Sequence, residues 1–303
     1  MDKSNEYIRF DWAIKHLLRE KSNFEILEGL ISVLLGQDVK IEEILESESN
    51  QENANDKFNR VDIKAKNSEG HIIIVEVQLT RQLYYLQRIL YGTCKAVTEH
   101  MALGEKYDQV KKVYSISILY CEFGEGDDYV YRGTTEFKGI HTGTDLVVRT
   151  KEDGVIISHL PSQVFPEYFL VRVNAYDKIP ETPLEEWMDY LKTGMVKEDT
   201  TAPGLQRVKE KLKVLSMSKE ERQAYDRHID NIMVQNDVLD TAREEGRDEG
   251  FAEGRTEGLA EGRVEGRVEG RAEGRAEAIA EKTKLAKEMG LSAEVISKLF
   301  GNN

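Results

Sequence analysis

The sequence predicts an α/β fold: a mixed β-sheet flanked by helices, followed by a helical C-terminal tail. Three observations lead there. Residues 58–79 read as a β-hairpin. Segments of helical and strand period then alternate around it, helix, hairpin, helix, strand, which is the order of α/β domains with a mixed sheet. From Glu245 the chain repeats every four residues (EGRD, EGFA, EGRT, EGLA, EGRV, EGRV, EGRA, EGRA), close to the 3.6-residue turn of a helix.

The hairpin is the most informative stretch. Val61, Ile63 and Ala65 alternate with Asp62, Lys64 and Lys66; Ile73, Val75, Val77 and Leu79 alternate with Glu76 and Gln78. This is the period-2 signal of strands with one face packed and one face open. Between them, Asn67-Ser68-Glu69-Gly70 is turn chemistry, and Gly70 accepts the left-handed conformation that closes a three-residue loop. That loop pairs Asn67 with His71, which sets Asp62 opposite Glu76 and Arg60 opposite Gln78. A four-residue loop would put Asp62 opposite Val75 and mix the two faces, so burial selects the first register.

Two carboxylates then face each other across the sheet. Like charges directly opposite destabilise a sheet by a few tenths to about 1 kcal/mol. A divalent cation between them reverses the sign, and Mg²⁺ takes one or two carboxylates while keeping waters. Gln78 points to the same side as Glu76. It cannot act as a general base, but its amide can hold a water or a phosphate oxygen. A solvated outer strand face is the competing reading of the same acids.

The elements around the hairpin follow in order. Residues 6–20 have helical spacing, with His16 a lone structural or exposed histidine. Ser22 to Glu25 form a capping box before FEILEGLISVLLG, a helix that should stop at Gly36. Glu28 lies on it. Residues 46–57 are polar and read as a loop. Thr80 is the expected N-cap of a long helix from Arg81 to about Leu103, which carries Tyr84, Tyr85, Arg88 and Tyr91. On that helix Arg88 could reach a phosphate; equally, the tyrosines could be core or interface aromatics that the arginines cover. Residues 112–120 (KVYSISILY) fit a central strand, with shorter strand-like pieces at 129–137, 145–149, 154–159 and 165–173. A helix over 182–194 ends at Gly194, residues 195–204 read as a linker, and 205–243 as helices with charged faces.

The order Asp62, turn, Glu76-x-Gln78 resembles the catalytic core of the PD-(D/E)XK nuclease superfamily, with Gln78 where Lys is usual. The resemblance extends to the PD-(D/E)XK nuclease family transposases of bacteria, the recombination-promoting or Rpn nucleases. It is carried by Phe10-Asp11 with Lys15, Val61-Asp62-Ile63, Glu76-Val77-Gln78 and Arg88-Ile89-Leu90-Tyr91. Further on it includes Gly104-Glu105-Lys106-Tyr107, Pro166-Glu167-Tyr168-Phe169 and Leu184-Glu185-Glu186-Trp187. The resemblance implies a restriction-endonuclease-like core and Mg²⁺-dependent hydrolysis of DNA, with Mn²⁺ able to substitute. It implies metal held by Asp62, Glu76 and the backbone carbonyl of Val77, catalytic positions at Asp62, Glu76 and Gln78, and auxiliary candidates at Glu28 and Arg88. The departure at Gln78 leaves metal binding intact and puts the lysine's role in doubt.

Composition bounds these readings. A chain of 303 residues with 40% hydrophobic content can bury a real core. The formal net charge of −14 is unlike the basic footprint of most nucleic-acid binders, so long-range attraction to DNA should be poor. Cys94 and Cys121 show no metal or disulfide spacing, and no signal peptide or run of transmembrane length is present, so the chain reads as cytoplasmic with no membrane partner. Nothing resembles a GxSxG elbow or a P-loop.

The tail reads as a marginal helix. Each Gly costs about 1 kcal/mol against Ala, and Glu faces Glu at i,i+4. It is either a solvated spacer or, since small residues let backbones approach, a self-association element that makes a homo-oligomer. The expected organisation is a nuclease-like domain over 1–195, a linker and helical segment over 196–244, the repeat helix over 245–278 and a short helical hook over 279–303. The expected function is a metal-dependent DNA endonuclease. The alternative is a catalytically weak scaffold that binds protein or DNA through its tail.

Overall fold

The computed structural model describes residues 7–45, 61–101, 104–152 and 155–300. Residues 1–226 and 227–303 form two compact units. The first contains helices α1 (Phe10–His16) and α2 (Phe24–Leu35), and strands β1 (Ile41–Leu45), β2 (Ile63–Asn67) and β3 (Ile72–Gln78). Helix α3 (Tyr85–Glu99) leads to β4 (Val113–Leu119), β5 (Val130–Gly133), β6 (Val148–Glu152) and β7 (Val155–His159). Then come α4 (Pro161–Val164), β8 (Glu167–Arg172), α5 (Pro183–Thr193) and α6 (Leu205–Lys211). Helix α7 (Lys219–Glu288) begins in this unit and continues into the second, which ends with α8 (Ala293–Phe300).

Six strands form one sheet in the order β1-β2-β3-β4-β8-β5, while β6 and β7 pair as a separate ribbon. Strand β4 is parallel to both β3 and β8; the other pairs are antiparallel. The mixed sheet matches the expected fold class. Parallel strands need both faces covered, and β3 and β4 are buried along their whole lengths. This corrects the expectation of an open face on the hairpin. Ile72 and Ile74, on the side of Glu76, pack with Val113, with Ala96 of α3 and with Val61. Further along, Tyr85 and Ile89 of the same helix pack on Leu119. Helix α3 thus roofs the face that carries the acids.

Several boundaries differ from expectation, each for a local reason. Helix α2 ends at Gly36 as expected, with φ of 69° in the left-handed region. It starts at Phe24 behind a 3₁₀ turn, so the Ser22–Glu25 capping box does not form. Helix α3 starts at Tyr85, directly after Tyr84, whose backbone (φ −115°, ψ 39°) is not helical, so Thr80 lies too early to cap it. The true capping boxes are Thr182 with Glu185 and Ser218 with Glu221. Residues 46–57, Arg60 and the expected helix end at Leu103 lie outside the described residues.

Residues 195–204, expected as a linker, are packed into the first unit. Thr200 and Ala202 are buried. Thr200 and Thr201 donate hydroxyl hydrogen bonds to Glu186, and the indole of the fully buried Trp187 donates to the Pro203 carbonyl at 2.9 Å. Gly29 of α2 lies against this segment so closely that a Cβ would fall inside 3.0 Å of the Pro203 carbonyl and the Gly204 Cα. The N-terminal segment is tied down by the same region: the Ile8 N–H donates to the Leu212 carbonyl at 2.7 Å, and the Tyr190 hydroxyl to the Ile8 carbonyl at 2.7 Å.

In the second unit the four-residue repeat is part of the continuous helix α7, and its glycines, Gly246 to Gly274, face open space. Among the described residues no helix is long and apolar enough to cross a membrane.

Because backbone, not a flexible side chain, would meet the added methyl, Gly29→Ala should destabilise the first unit by about 1–3 kcal/mol. A thermal or urea melt should show the loss, whereas Gly254→Ala, in open helix, should not lower stability.

Candidate active site

The turn sets the site. Gly70 takes φ of 79°, its N–H donates to the Asn67 carbonyl at 2.9 Å, and the Asn67 N–H donates to the His71 carbonyl at 3.1 Å. The Asn67 side chain also accepts the His71 N–H at 2.8 Å. From there the ladder runs Lys66–Ile72, Ala65–Ile73, Lys64–Ile74 and Ile63–Val75. It ends at Ile63, so Asp62 and Glu76 are the next residues out on the two strands. Antiparallel pairs alternate between hydrogen-bonded and non-bonded types, and counting from Asn67–His71 makes this position non-bonded, where side chains approach most closely.

Asp62 replaces the missing rung. Its Oδ2 accepts the Val77 N–H at 2.7 Å, and its own carbonyl accepts a hydrogen bond from Arg19 at 2.6 Å. In a strand a residue's N–H and C=O project to the same side, so the Val77 carbonyl also faces the Asp62 side of β3. One carboxylate, one backbone amide and one backbone carbonyl therefore meet at the end of the ladder.

Glu76 lies beside them and is only 8% exposed. On its other flank it neighbours Ser117 of β4. Its Oε1 pairs with Arg88 Nη2 at 2.5 Å, and Arg88 Nη1 donates to Gln82 at 2.9 Å. Burial pushes the Glu76 carboxyl up to about 7; Arg88 pulls it down, and the Asp62 charge pushes it up again. The arginine thus supplies the positive charge that the facing acids demand. Gln78, two residues on, is buried and its amide donates to the Thr80 carbonyl at 2.6 Å.

Glu28 does not join this group. Its carboxylate accepts the Ile41 N–H at 2.8 Å and the Lys40 ammonium at 3.1 Å. Ile41 pairs with Asn67, at the turn end of the hairpin. At about 3.3 Å per residue, that is roughly five residues along β2 from Asp62. Glu28 holds the start of β1 rather than joining Asp62 and Glu76. A polar cavity of about 580 Å³, lined by His71, Lys112, Arg132 and Glu167 among others, also opens at the turn end, away from Glu76.

Of two further residues at the site, Ser117 was not singled out in the sequence, and Tyr85 was named there only as one of the tyrosines that could be core or interface aromatics. Tyr85 is buried beside Glu76, and its phenol is raised by burial and by the Glu76 charge. Ser117 is the buried β4 neighbour of Glu76. The signal for Ser117 was present: Ser115 and Ser117 interrupt an otherwise apolar strand at period 2, on the face toward Glu76.

Among the described residues no group of three or more His, Cys, Asp or Glu side chains could hold a metal. The donors present are two carboxylates and one backbone carbonyl. That set is unsuited to zinc and fits a hard ion that keeps several waters. The buried Glu76 carboxylate already draws a cationic partner to its face.

The family model described as PD-(D/E)XK nuclease family transposase matches residues 8–242. The chain belongs to this family. No curated protein and no solved structure matches it. For a PD-(D/E)XK nuclease family transposase the six-stranded mixed sheet flanked by helices is the consistent fold. The match includes the whole first unit from Ile8 onward and stops at 242, before the four-residue repeat.

The Glu76 shift carries a pH prediction. Its folded value lies above its unfolded value of 4.5, so its stabilising contribution is complete below about pH 4.5 and is lost as pH rises through about 7. In metal-free protein, Glu76→Gln should abolish this loss. The stability difference between variant and wild type should grow in the variant's favour by about 2–3 kcal/mol between pH 5 and pH 8, measured by denaturant melts.

Proposed function

We propose that this chain is a metal-dependent DNA endonuclease of the recombination-promoting, transposase-like kind, hydrolysing phosphodiester bonds. The observation that supports it is the placement of Asp62 and Glu76 as the next pair out on the β2–β3 ladder, with Asp62 fixed by the Val77 N–H. The site lies toward the carboxyl ends of the parallel strands β3 and β4, where open α/β sheets place their ligands.

Asp62, Glu76 and the Val77 carbonyl would hold Mg²⁺, or Mn²⁺ in its place. When bound, the ion would lower the pKa of a water and stabilise charge on the scissile phosphate. Asp62 is held in position by the Val77 amide, so it spends little entropy in presenting its other oxygen. Helix α3 excludes water from one side of Glu76. Arg88, reaching from α3 to both Glu76 and Gln82, is the group placed to grip a phosphate oxygen. Gln78 would orient water or phosphate only by giving up its hydrogen bond to the Thr80 carbonyl.

That last feature, with the net charge of −14, favours a second reading: a catalytically weak scaffold whose tail binds a partner. In either reading we assign the protein to the cytoplasm and expect it to self-associate through its C-terminal helices, which light scattering on the full chain measures.

Plasmid DNA supplied with Mg²⁺ or Mn²⁺ separates the two. Wild type should nick it, and Asp62→Ala and Glu76→Ala should each lower the rate by about two orders of magnitude or more. Equal nicking by all three proteins, or none by wild type in either metal, would sink the endonuclease reading.

A further inference from the structure

Helix α3 carries two tyrosines whose rings remain open to solvent. Tyr85 and Ile89 point inward and are buried, but Tyr84 is 73% exposed and Tyr91 40%. The Arg88 N–H donates to the Tyr84 carbonyl at 3.0 Å, so Tyr84 already stands in helical register. Tyr84, Arg88, Tyr91 and Lys95 follow at i, i+4, i+7 and i+11, one flank of the helix. Two contacts fix where this flank looks. Arg88 touches Glu76 of β3. Lys95 and Lys64 of β2 both reach Glu99, at 3.8 and 2.8 Å. The flank therefore runs alongside β3 and β2, directly out of the candidate active site.

We propose that this flank is a stacking ledge for unpaired bases of a DNA strand. Tyr84 and Tyr91 would take base faces, and Arg88 and Lys95 the phosphates between and beyond them. The substrate class would then be single-stranded or locally melted DNA rather than intact duplex. The inference rests on the nuclease reading and narrows it.

Three arguments support the occupant. Every base offers a π-face, so aromatics interleaved with cations bind a strand without reading its sequence. An intact duplex hides those faces in its own stack. A chain with a net charge of −14 gains little from long-range attraction to phosphates, so short-range stacking supplies the affinity that electrostatic steering does not. A second copy is the poorer fit: an isologous contact centred on this flank would bring Arg88 against Arg88.

The test is binding in chelator, where no hydrolysis occurs, with a short fluorescent single strand and the same sequence as duplex. Anisotropy should show tighter binding of the single strand by the full-length wild type. Tyr84→Ala and Tyr91→Ala should each weaken it by about tenfold, Tyr84→Trp should retain it, and duplex binding should change by less than about twofold. Unchanged thermal melts guard against misfolding. Equal losses on both DNA forms, or no loss on either, would overturn the ledge. So would a change in mass by light scattering on Tyr84→Ala, which would make the flank an interface between copies. Cleavage of plasmid by wild type in Mn²⁺ is scored separately. If wild type cleaves but the tyrosine variants bind like wild type, the ledge alone falls. If wild type neither binds nor cleaves any DNA, the nuclease reading falls with it.

Discussion

A carboxylate buried on a strand that is covered on both faces is the constraint around which the first unit is built. Glu76 cannot be exposed without moving β3, which is held between β2 and β4. It cannot lose its charge partner without cost, because an unpaired buried charge is expensive. Arg88 must therefore come from the covering helix, which fixes the rotation of α3. Tyr85 must turn inward one turn earlier, and Tyr84 is left outside. The acid decides which side chains the helix above it turns inward and which it leaves outside.

The same constraint explains why Asp62 is positioned by the backbone rather than by another side chain. A second buried salt bridge would need a second cation beside the first. Accepting the Val77 N–H instead completes the hydrogen bonding of a strand end whose partner strand has stopped. The geometry of the candidate site and the end of the β-ladder are one feature.

Much of this was legible in the sequence. The turn residues Asn67 and Gly70 and the alternation on both strands were enough for the register, because a one-residue slip would have exposed an entire apolar face. The closing of α2 at Gly36 and of α5 at Gly194 followed from glycine's access to the left-handed region. What failed had tertiary causes. Burial of both faces of β3 was missed because the alternation was counted from Ile73, Val75 and Val77, and left out Ile72 and Ile74, which make the other face apolar as well. Thr80 looked like an N-cap, but the chain enters the helix only at Tyr85. Glu28 was placed with the acids by analogy, while its carboxylate serves Lys40 and Ile41. The stretch 195–204 has linker composition, yet Trp187 and Gly29 draw it into the core, and Gly29 is far from it in sequence.

The pairing of Ile8 with Leu212, and of the Arg9 N–H with the Tyr225 hydroxyl, has a temporal consequence. During synthesis the hairpin leaves the ribosome long before the residues that seal the N-terminal segment. The unit closes only once Tyr225 has emerged, so a nascent chain carries both acids well before it has a finished fold to hold them.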